Sequence, residues 1–345
     1  MCRICGVFRP DHPVDELTIR VKNMCQVQLH GGPDDEGIYV QPADHVVLGN
    51  RRLSLMDLSM QGHQPMSYED RYWITYNGEI YNYADLKQEL ISIGHHFQSG
   101  SDTEVVLHAY AQWGAQSFAR LKGMFAFAIW DDQEKELILV RDASGIKPLY
   151  FTNEENGIAF ASEIRALQQQ VFSNELNDNW RIYQMAFGFL PEPMTLYRKV
   201  LPLPKGSFLK YRTRTRKYIL QSFAHFSYYP KINDRDEAKA LIRQTLTDAV
   251  SRQLIADAPV GIFLSGGIDS SLITLLAAQD GRSKLKTLSI YFDDPNFSEK
   301  KYQDILIKQV GCDSQQFLLS EAHFHEHFPS ILHHMDMPSC DGINT

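Results

Sequence analysis

Apolar and polar positions follow two regimes along the chain. In the first half, short apolar runs at residues 2–8, 46–48, 53–55 and 72–76 are bounded by polar turns and read as strands. Between the first two, Leu17, Val21, Met24, Cys25 and Gln28 recur on one helical face, and the pattern stops at His30-Gly31-Gly32-Pro33. A capping box, Ser101-x-x-Glu104, predicts a helix to Trp113 that ends at Gly114. Residues 124–130 and 137–140 predict a hairpin around Asp131-Asp132-Gln133-Glu134-Lys135. Several antiparallel strands with few helices indicate an α+β domain of layered antiparallel sheets. Over residues 168–233 the pattern loosens into turn-rich Leu190-Pro191-Glu192-Pro193 and Leu201-Pro202-Leu203-Pro204-Lys205-Gly206, the trailing edge of that domain and a linker.

The second half switches period. Ala238, Leu241, Ile242, Leu246, Ala249, Val250, Leu254 and Ile255 form an amphipathic helical stripe. An apolar run at 260–264 then leads through Leu264-Ser265-Gly266-Gly267-Ile268-Asp269-Ser270-Ser271 into a helix carrying Leu272, Ile273, Leu275 and Leu276. A strand at 288–292, a helix at 299–310 closed by Gly311 and a strand at 316–319 follow. Strands alternating with helices predict an α/β parallel, doubly wound sheet, in which ligands bind at the loop after the first strand. The two glycines of that loop let backbone approach a ligand, and the first amides of the next helix have no intrahelical partner. With the hydroxyls of Ser265, Ser270 and Ser271 this is a cradle for pyrophosphate. No Gly-Lys-Ser/Thr follows, so it is not the common phosphate loop. Asp269, expected to be a buried acid within the turn, suits a divalent cation, Mg²⁺. The motif resembles the PP-loop of ATP pyrophosphatases, which cleave ATP between its α and β phosphates to adenylate a substrate.

Composition narrows the partners. At 345 residues the chain has room for two domains, and 43% apolar with 22% charged residues is ordinary for a globular protein. A net charge of −8 argues against nucleic acid as a partner. The most basic stretch, residues 210–217, alternates charge with Tyr and Thr and reads as the exposed face of an edge strand. No apolar run is long enough to cross a bilayer, and Arg3, Arg9 and Asp11 interrupt any signal-peptide core, so neither membrane nor export is expected. Five cysteines without regular spacing suit a reducing cytoplasm, and Cys2-x-x-Cys5 has no second pair with which to bind zinc. The histidines at 12, 95–96, 108, 323–327 and 333–334 lack zinc-helix spacing and read as solvated or internally satisfied.

Cys2 matters because of its position. Removal of Met1 would leave it with both a thiol and an α-amine titrating near ~7.7–8.0, so the amine can act as base for its own side chain. Taken alone, a Met-Cys start is a packed cysteine near an ordinary terminus. Arg52-Leu53-Ser54, Asn77-Gly78-Glu79-Ile80-Tyr81-Asn82, Ser101-Asp102-Thr103-Glu104 and Gly145-Ile146-Lys147-Pro148-Leu149 change that reading, because they closely resemble the class II glutamine amidotransferase domain. His30-Gly31-Gly32-Pro33-Asp34-Asp35-Glu36-Gly37 and Gly62-His63-Gln64-Pro65-Met66 belong to the same pattern. Joined to Ser265–Ser271, nearly the whole chain resembles the glutamine-dependent asparagine synthetase family.

The resemblance implies an N-terminal nucleophile (Ntn) hydrolase domain over residues 2–215, a linker at 216–234, and the incomplete start of a PP-loop (adenine nucleotide α-hydrolase-like) domain over 235–345. It implies that Cys2 attacks the side-chain amide of glutamine, with Asn77 and the Gly78 amide as the oxyanion hole. Arg52 would take the glutamine α-carboxylate, and Asp102 with Glu79 the α-ammonium. ATP with Mg²⁺ would bind at Leu264, Ser265, Gly266, Gly267, Asp269, Ser270 and Ser271, with Ile290 near the nucleoside and Asp269 on the metal. An acceptor carboxylate, aspartate first, would be adenylated and aminated by ammonia kept away from water. A homodimer is compatible with the resemblance.

The chain also departs from the pattern. Arg3 stands where the family usually has glycine and Gly31 where it usually has arginine, an exchange that could be compensating if the two lie together. Met337 replaces a common acid, and residues 341–345 are worded differently, which puts aspartate in doubt as acceptor. Family members continue well past Thr345, so a truncated chain that hydrolyses glutamine at best is expected. Rival readings are a different acceptor carboxylate, a lactam-forming relative, and a degenerate domain retained for binding.

Overall fold

A computed structural model describes residues 2–169, 174–226, 232–281 and 285–339. Met1, Cys340 and residues 341–345, with the acceptor-pocket wording noted above, lie outside the described residues. The chain divides into two units, residues 1–226 with 335–342, and 227–334 with 343–345.

In the first unit, alternating strand residues send one face of each of two sheets into a shared core and the other face outward to helices. In chain order it contains β1 (Arg3–Phe8), α1 (Val14–Val27), β2 (Asp35–Gln41), β3 (Val46–Arg52), β4 (Met66–Tyr68) and β5 (Tyr72–Ile80). Then come α2 (Tyr83–Ser92), α3 (Asp102–Trp113), β6 (Gly123–Asp131), β7 (Glu136–Arg141), β8 (Tyr150–Glu154) and β9 (Gly157–Ala161). The unit continues through α4 (Ile164–Leu167), α5 (Trp180–Phe187), β10 (Val200–Pro202), β11 (Ser207–Arg212) and β12 (Lys217–Ser222). One six-stranded sheet has the order β10-β8-β9-β1-β3-β2 and the other β12-β11-β7-β6-β5-β4, with every pairing antiparallel. Ile4, Leu48, Ala126, Trp130 and Leu139 meet between the sheets. Outside the first sheet Val7, Val47 and Cys5 pack on α1 and α4 through Leu17, Val21 and Ile164. Outside the second, Ile74, Phe127 and Ile129 pack on α2 and α3 through Leu86, Leu90 and Val106. The result is helix, sheet, sheet, helix, a layered α+β arrangement.

Several expectations hold residue by residue. Leu17, Val21, Met24 and Cys25 on α1 and Gln28 at its C-cap are all fully buried, and the hairpin of β6 and β7 turns where expected. Others change. Residues 53–55 are loop rather than strand, because the Leu53 and Ser54 amides are taken by Cys2 Sγ and Asp34 Oδ2. Ser101 caps α3 through Thr103 N, but Glu104 does not close the box. Its carboxylate reaches past Ser101 to the amides of Gln98 and Ser99, both at 2.8 Å. The basic strand β11 is not an edge, since it pairs with both β7 and β12. The edge is the exposed β12, formed by residues assigned above to the linker.

The second unit contains α6 (Arg235–Gln253), β13 (Gly261–Phe263), α7 (Ile268–Asp280), β14 (Lys286–Phe292), α8 (Lys300–Val310), β15 (Asp313–Leu319) and α9 (Glu321–His334). Its sheet is parallel in the order β13-β14-β15, as alternating strands and helices require. Gly311 closes α8 in the left-handed region at φ 68°, where a side chain would be strained. The stripe on α6 forms as a helix, but Leu241 and Ile242 stay exposed.

Candidate active site

The residues singled out in the first unit converge at one end of the two sheets. Because β1 and β3 run antiparallel, with Arg3 opposite Arg51, the start of β1 and the end of β3 share an edge. Cys2 sits there, half-buried, and its Sγ contacts Leu53 through both backbone groups: it accepts from the amide at 3.3 Å and donates to the carbonyl at 3.5 Å. Burial pushes the thiol up from its ordinary value, partly offset by the Leu53 amide, so at rest it keeps its proton.

Strand register explains why β5 faces this thiol. Asn77 pairs with Ala126, whose side chain lies between the sheets, so Asn77 and Glu79 point inward while Tyr76 and Ile80 point to the helices. Asn77 is 1% exposed, and both its Nδ2 and Oδ1 lack a partner among the described residues. Gly78 pairs with Phe125, whose amide and carbonyl are both turned to Asp142 on the other side. That makes the pair a non-hydrogen-bonded one, so the Gly78 N–H is directed out of the ladder. It lies between the amides of Tyr76 and Ile80, which donate to Gln64 Oε1 and Asp102 Oδ2. A Cβ at Gly78 would come within 2.5 Å of the Met124 carbonyl, so strand packing demands the glycine.

Two acids stand beside these donors. Asp102, at the first turn of α3, is 3% exposed, and its Oδ2 accepts from Tyr76 Oη at 2.7 Å and Ile80 N at 2.9 Å. Burial raises its carboxyl above the usual range against those bonds. Burial, then the charge of Asp102, lifts Glu79 to about 8, with Lys147 opposing. Two carboxyls that cannot easily ionise together make a site that gains by taking a cation.

Arg52 is 5% exposed and spends three donors on loop carbonyls, Ser59 at 3.2 Å, Met56 at 3.0 Å and Asp57 at 2.5 Å. Of the five N–H groups of a guanidinium, these bonds leave Nε and one hydrogen of Nη1 for a ligand. Gly62 is required here, since a Cβ would meet Arg52 Nη2 at 2.0 Å.

Sequence reading passed over four residues here. Lys147, quoted only as part of a motif, is 1% exposed, and burial lowers its ammonium to about 8 while Cys2 and Glu79 raise it. Asp142 builds the turn that delivers it, accepting the amides of Ser144, Ile146 and Lys147. Glu163, 5% exposed, binds Arg3 from across the chain and Arg165 two residues on. Asp336 accepts the amides of Ile164 and Arg165 at 2.6 and 2.9 Å, and burial raises its carboxyl to about 6.

In the second unit Leu264 is buried at the end of β13, its amide bonded to Leu288 O. Gly266 takes φ 95°, and Gly267 precedes the first turn of α7. The loop closes on itself: Ser265 Oγ lies 2.9 Å from Ser270 Oγ and accepts from Gly267 N, while Ser271 N bonds Gly267 O. A bound anion would exchange with these bonds. Asp269, in the first turn of α7, is exposed rather than buried. Ile290 is 52% exposed on β14. Gln303, not anticipated, is 1% exposed and donates to Ser265 O and Ile290 O, both at 2.9 Å, tying the loop to its neighbouring strand. Among the described residues no three His, Cys, Asp or Glu side chains are grouped to hold a metal.

The glutamine amidotransferase domain family matches residues 1–223 and the asparagine synthase family residues 241–345. The chain belongs to the glutamine-dependent asparagine synthetase family. It is 36% identical to asparagine synthetase [glutamine-hydrolyzing] 1 of Bacillus subtilis, over 99% of this chain and 54% of that protein. It is 35% identical to a putative asparagine synthetase of Mycobacterium tuberculosis, over 90% of this chain and 50% of that one. Against asparagine synthetase B of Escherichia coli it is 29% identical, over 100% of this chain and 55% of that protein. The chain thus spans about half the length of the curated relatives it matches. Among the described residues no helix is long and apolar enough to cross a membrane.

Proposed function

We propose that this chain carries the nitrogen-donating site and the nucleotide loop of a carbon-nitrogen ligase that uses glutamine. The observation that carries the reading is Asn77, a buried amide with no described partner, beside a protonated thiol and a cation-seeking pair of acids. The described partners of the Cys2 thiol are both backbone atoms of Leu53, so the base is best supplied by the α-amine freed when Met1 is removed. That amine takes the thiol proton as Sγ bonds to the glutamine carboxamide carbon. Asn77 Nδ2 and the Gly78 N–H hold the oxygen that becomes negative. Collapse expels ammonia with the proton returned to it, leaving a γ-glutamyl thioester that water hydrolyses to glutamate and the free thiol. Arg52 holds the substrate α-carboxylate, and Glu79 with Asp102 the α-ammonium.

In the second unit the loop at Leu264, Ser265, Gly266, Gly267, Ser270 and Ser271, with Ile290, fits ATP, whose adenylyl group would activate an acceptor carboxylate before ammonia displaces AMP. Asp269 fits Mg²⁺, since that ion is commonly held by one or two carboxylates together with substrate phosphates. Bound there, it would neutralise phosphate charge. Aspartate is the first choice of acceptor. Met337, partly buried against the α1 cluster at a position where the family resemblance implied an acid, favours testing other carboxylates beside it. A cytoplasmic location fits the four free cysteines among the described residues, and a homodimer fits the family.

Glutamate release from glutamine without ATP is the test of the first half, and ATP–pyrophosphate exchange over a panel of carboxylates the test of the second. Absence of glutamate release would sink the reading. A pH dependence follows from the acid pair. Below about 8 Glu79 holds a proton that the incoming ammonium must drive off. KM for glutamine should therefore fall several-fold as pH rises from about 6.5 to 8, at most tenfold per unit for one proton. In Glu79→Gln this slope should vanish, and a slope that survives would remove Glu79 from the ammonium site.

A further inference from the structure

Arg3 occupies the space that any side chain at position 31 would need. A Cβ placed on Gly31 would lie 2.6 Å from Arg3 Cγ and 2.8 Å from its Nε and Cζ. With Arg3 in this conformation, a side chain at 31 would have to displace it. From this place Arg3 Nε donates to Glu163 Oε1 at 2.6 Å, and Nη1 donates to the carbonyl oxygen of Cys2 at 3.3 Å. Glu163 is the hub: its Oε2 accepts from Arg165 Nε at 2.6 Å, and its Oε1 lies 3.0 Å from His30 Nε2. Burial opposes its charge, but the bonds and charges of Arg3 and Arg165 hold its carboxyl below the usual range, so it stays ionised. The hub is fixed to β1 itself, because Ile4 N donates to Ser162 Oγ at 3.0 Å and Ser162 N to Ile4 O at 2.9 Å.

A residue at a chain end is tethered on one side only and is poorly ordered unless something ties it down. We propose that Arg3 is a positioning residue for the nucleophile, linking the Glu163 hub to the Cys2 carbonyl and so holding the Cys2 thiol in register with Asn77, and that Gly31 is glycine to make room for it. The proposal rests on Cys2 being the glutaminase nucleophile. Arg3 directs its described bonds to Glu163 and the Cys2 carbonyl, so its loss should act on turnover rather than on substrate affinity.

Three variants of the full chain test it, with kcat and KM for ATP-independent glutamate release and a thermal melt for each. Arg3→Met keeps the apolar stem but loses the donors. It should lower kcat about tenfold, the worth of a charge-assisted hydrogen bond, with KM changed less than about twofold. Gly31→Arg should melt lower, because two side chains compete for one volume. The double variant Arg3→Gly with Gly31→Arg should recover most of the parental kcat, since an arginine from 31 enters the vacated space and faces Glu163. Parental kcat in a folded Arg3→Met chain overturns the proposal and leaves Cys2 as nucleophile. A folded double variant as slow as Arg3→Met overturns the shared-volume argument. A parent chain that releases no glutamate overturns the underlying reading, and the proposal with it.

Discussion

Cys2→Ala should abolish glutamate release from glutamine, by about 10³-fold or more, while the chain remains folded. No neighbouring group can stand in for the thiol. Asp102 is buried under a tyrosine hydroxyl and a backbone amide, and the Lys147 ammonium is sealed at 1% exposure. Cys2 is half-buried at a strand end and the described partners of its thiol are the two Leu53 backbone atoms, so truncation should shift stability by less than about 1 kcal/mol. A kinetic assay beside a thermal melt separates the two. Retention of glutaminase activity in Cys2→Ala would place the nucleophile elsewhere.

Asn77→Ala should lower kcat about 10²- to 10³-fold with a smaller change in KM, the loss found when one oxyanion donor is removed. The accompanying stability change distinguishes this from damage to the core. A buried amide whose nitrogen and oxygen both lack partners among the described residues is a cost to the folded state, and alanine removes it without orphaning another group. The melting temperature should therefore hold or rise as activity falls, the trade expected when a site stores unfavourable polarity for its substrate. A melt lowered by several degrees, with kcat reduced only in proportion to unfolded protein, would make Asn77 a structural residue instead.

Periodicity made some of this legible and long-range pairing hid the rest. The face of α1 could be read because each of its apolar residues meets the same sheet, so local spacing and tertiary burial coincide. The hairpin of β6 and β7 was equally local. The run at 53–55 misled because its amides are claimed by Cys2, more than fifty positions away, and by Asp34. Glu104 misled for a related reason, bonding amides before Ser101 rather than Ser101 itself. The motif residues Cys2, Arg52, Asn77, Glu79 and Asp102 were found by resemblance, and only register showed which face of β5 Asn77 and Glu79 occupy. Glu163 had no local signal at all, since its role is defined by Arg3 at a separation of 160 residues. Asp269 shows the opposite error. A motif suggested burial, whereas the first turn of α7 leaves its carboxylate in solvent. The exchange of Arg3 and Gly31 was visible as a departure, and the contact between them gives it a physical cause.

The most direct test of the account is peptide mapping by mass spectrometry after incubation with a diazo-ketone analogue of glutamine. The account predicts one covalent adduct, on Cys2, in a peptide whose first residue is Cys2 with Met1 gone, and competition by glutamine. An adduct on another residue, or labelled and active protein that still carries Met1, would contradict it.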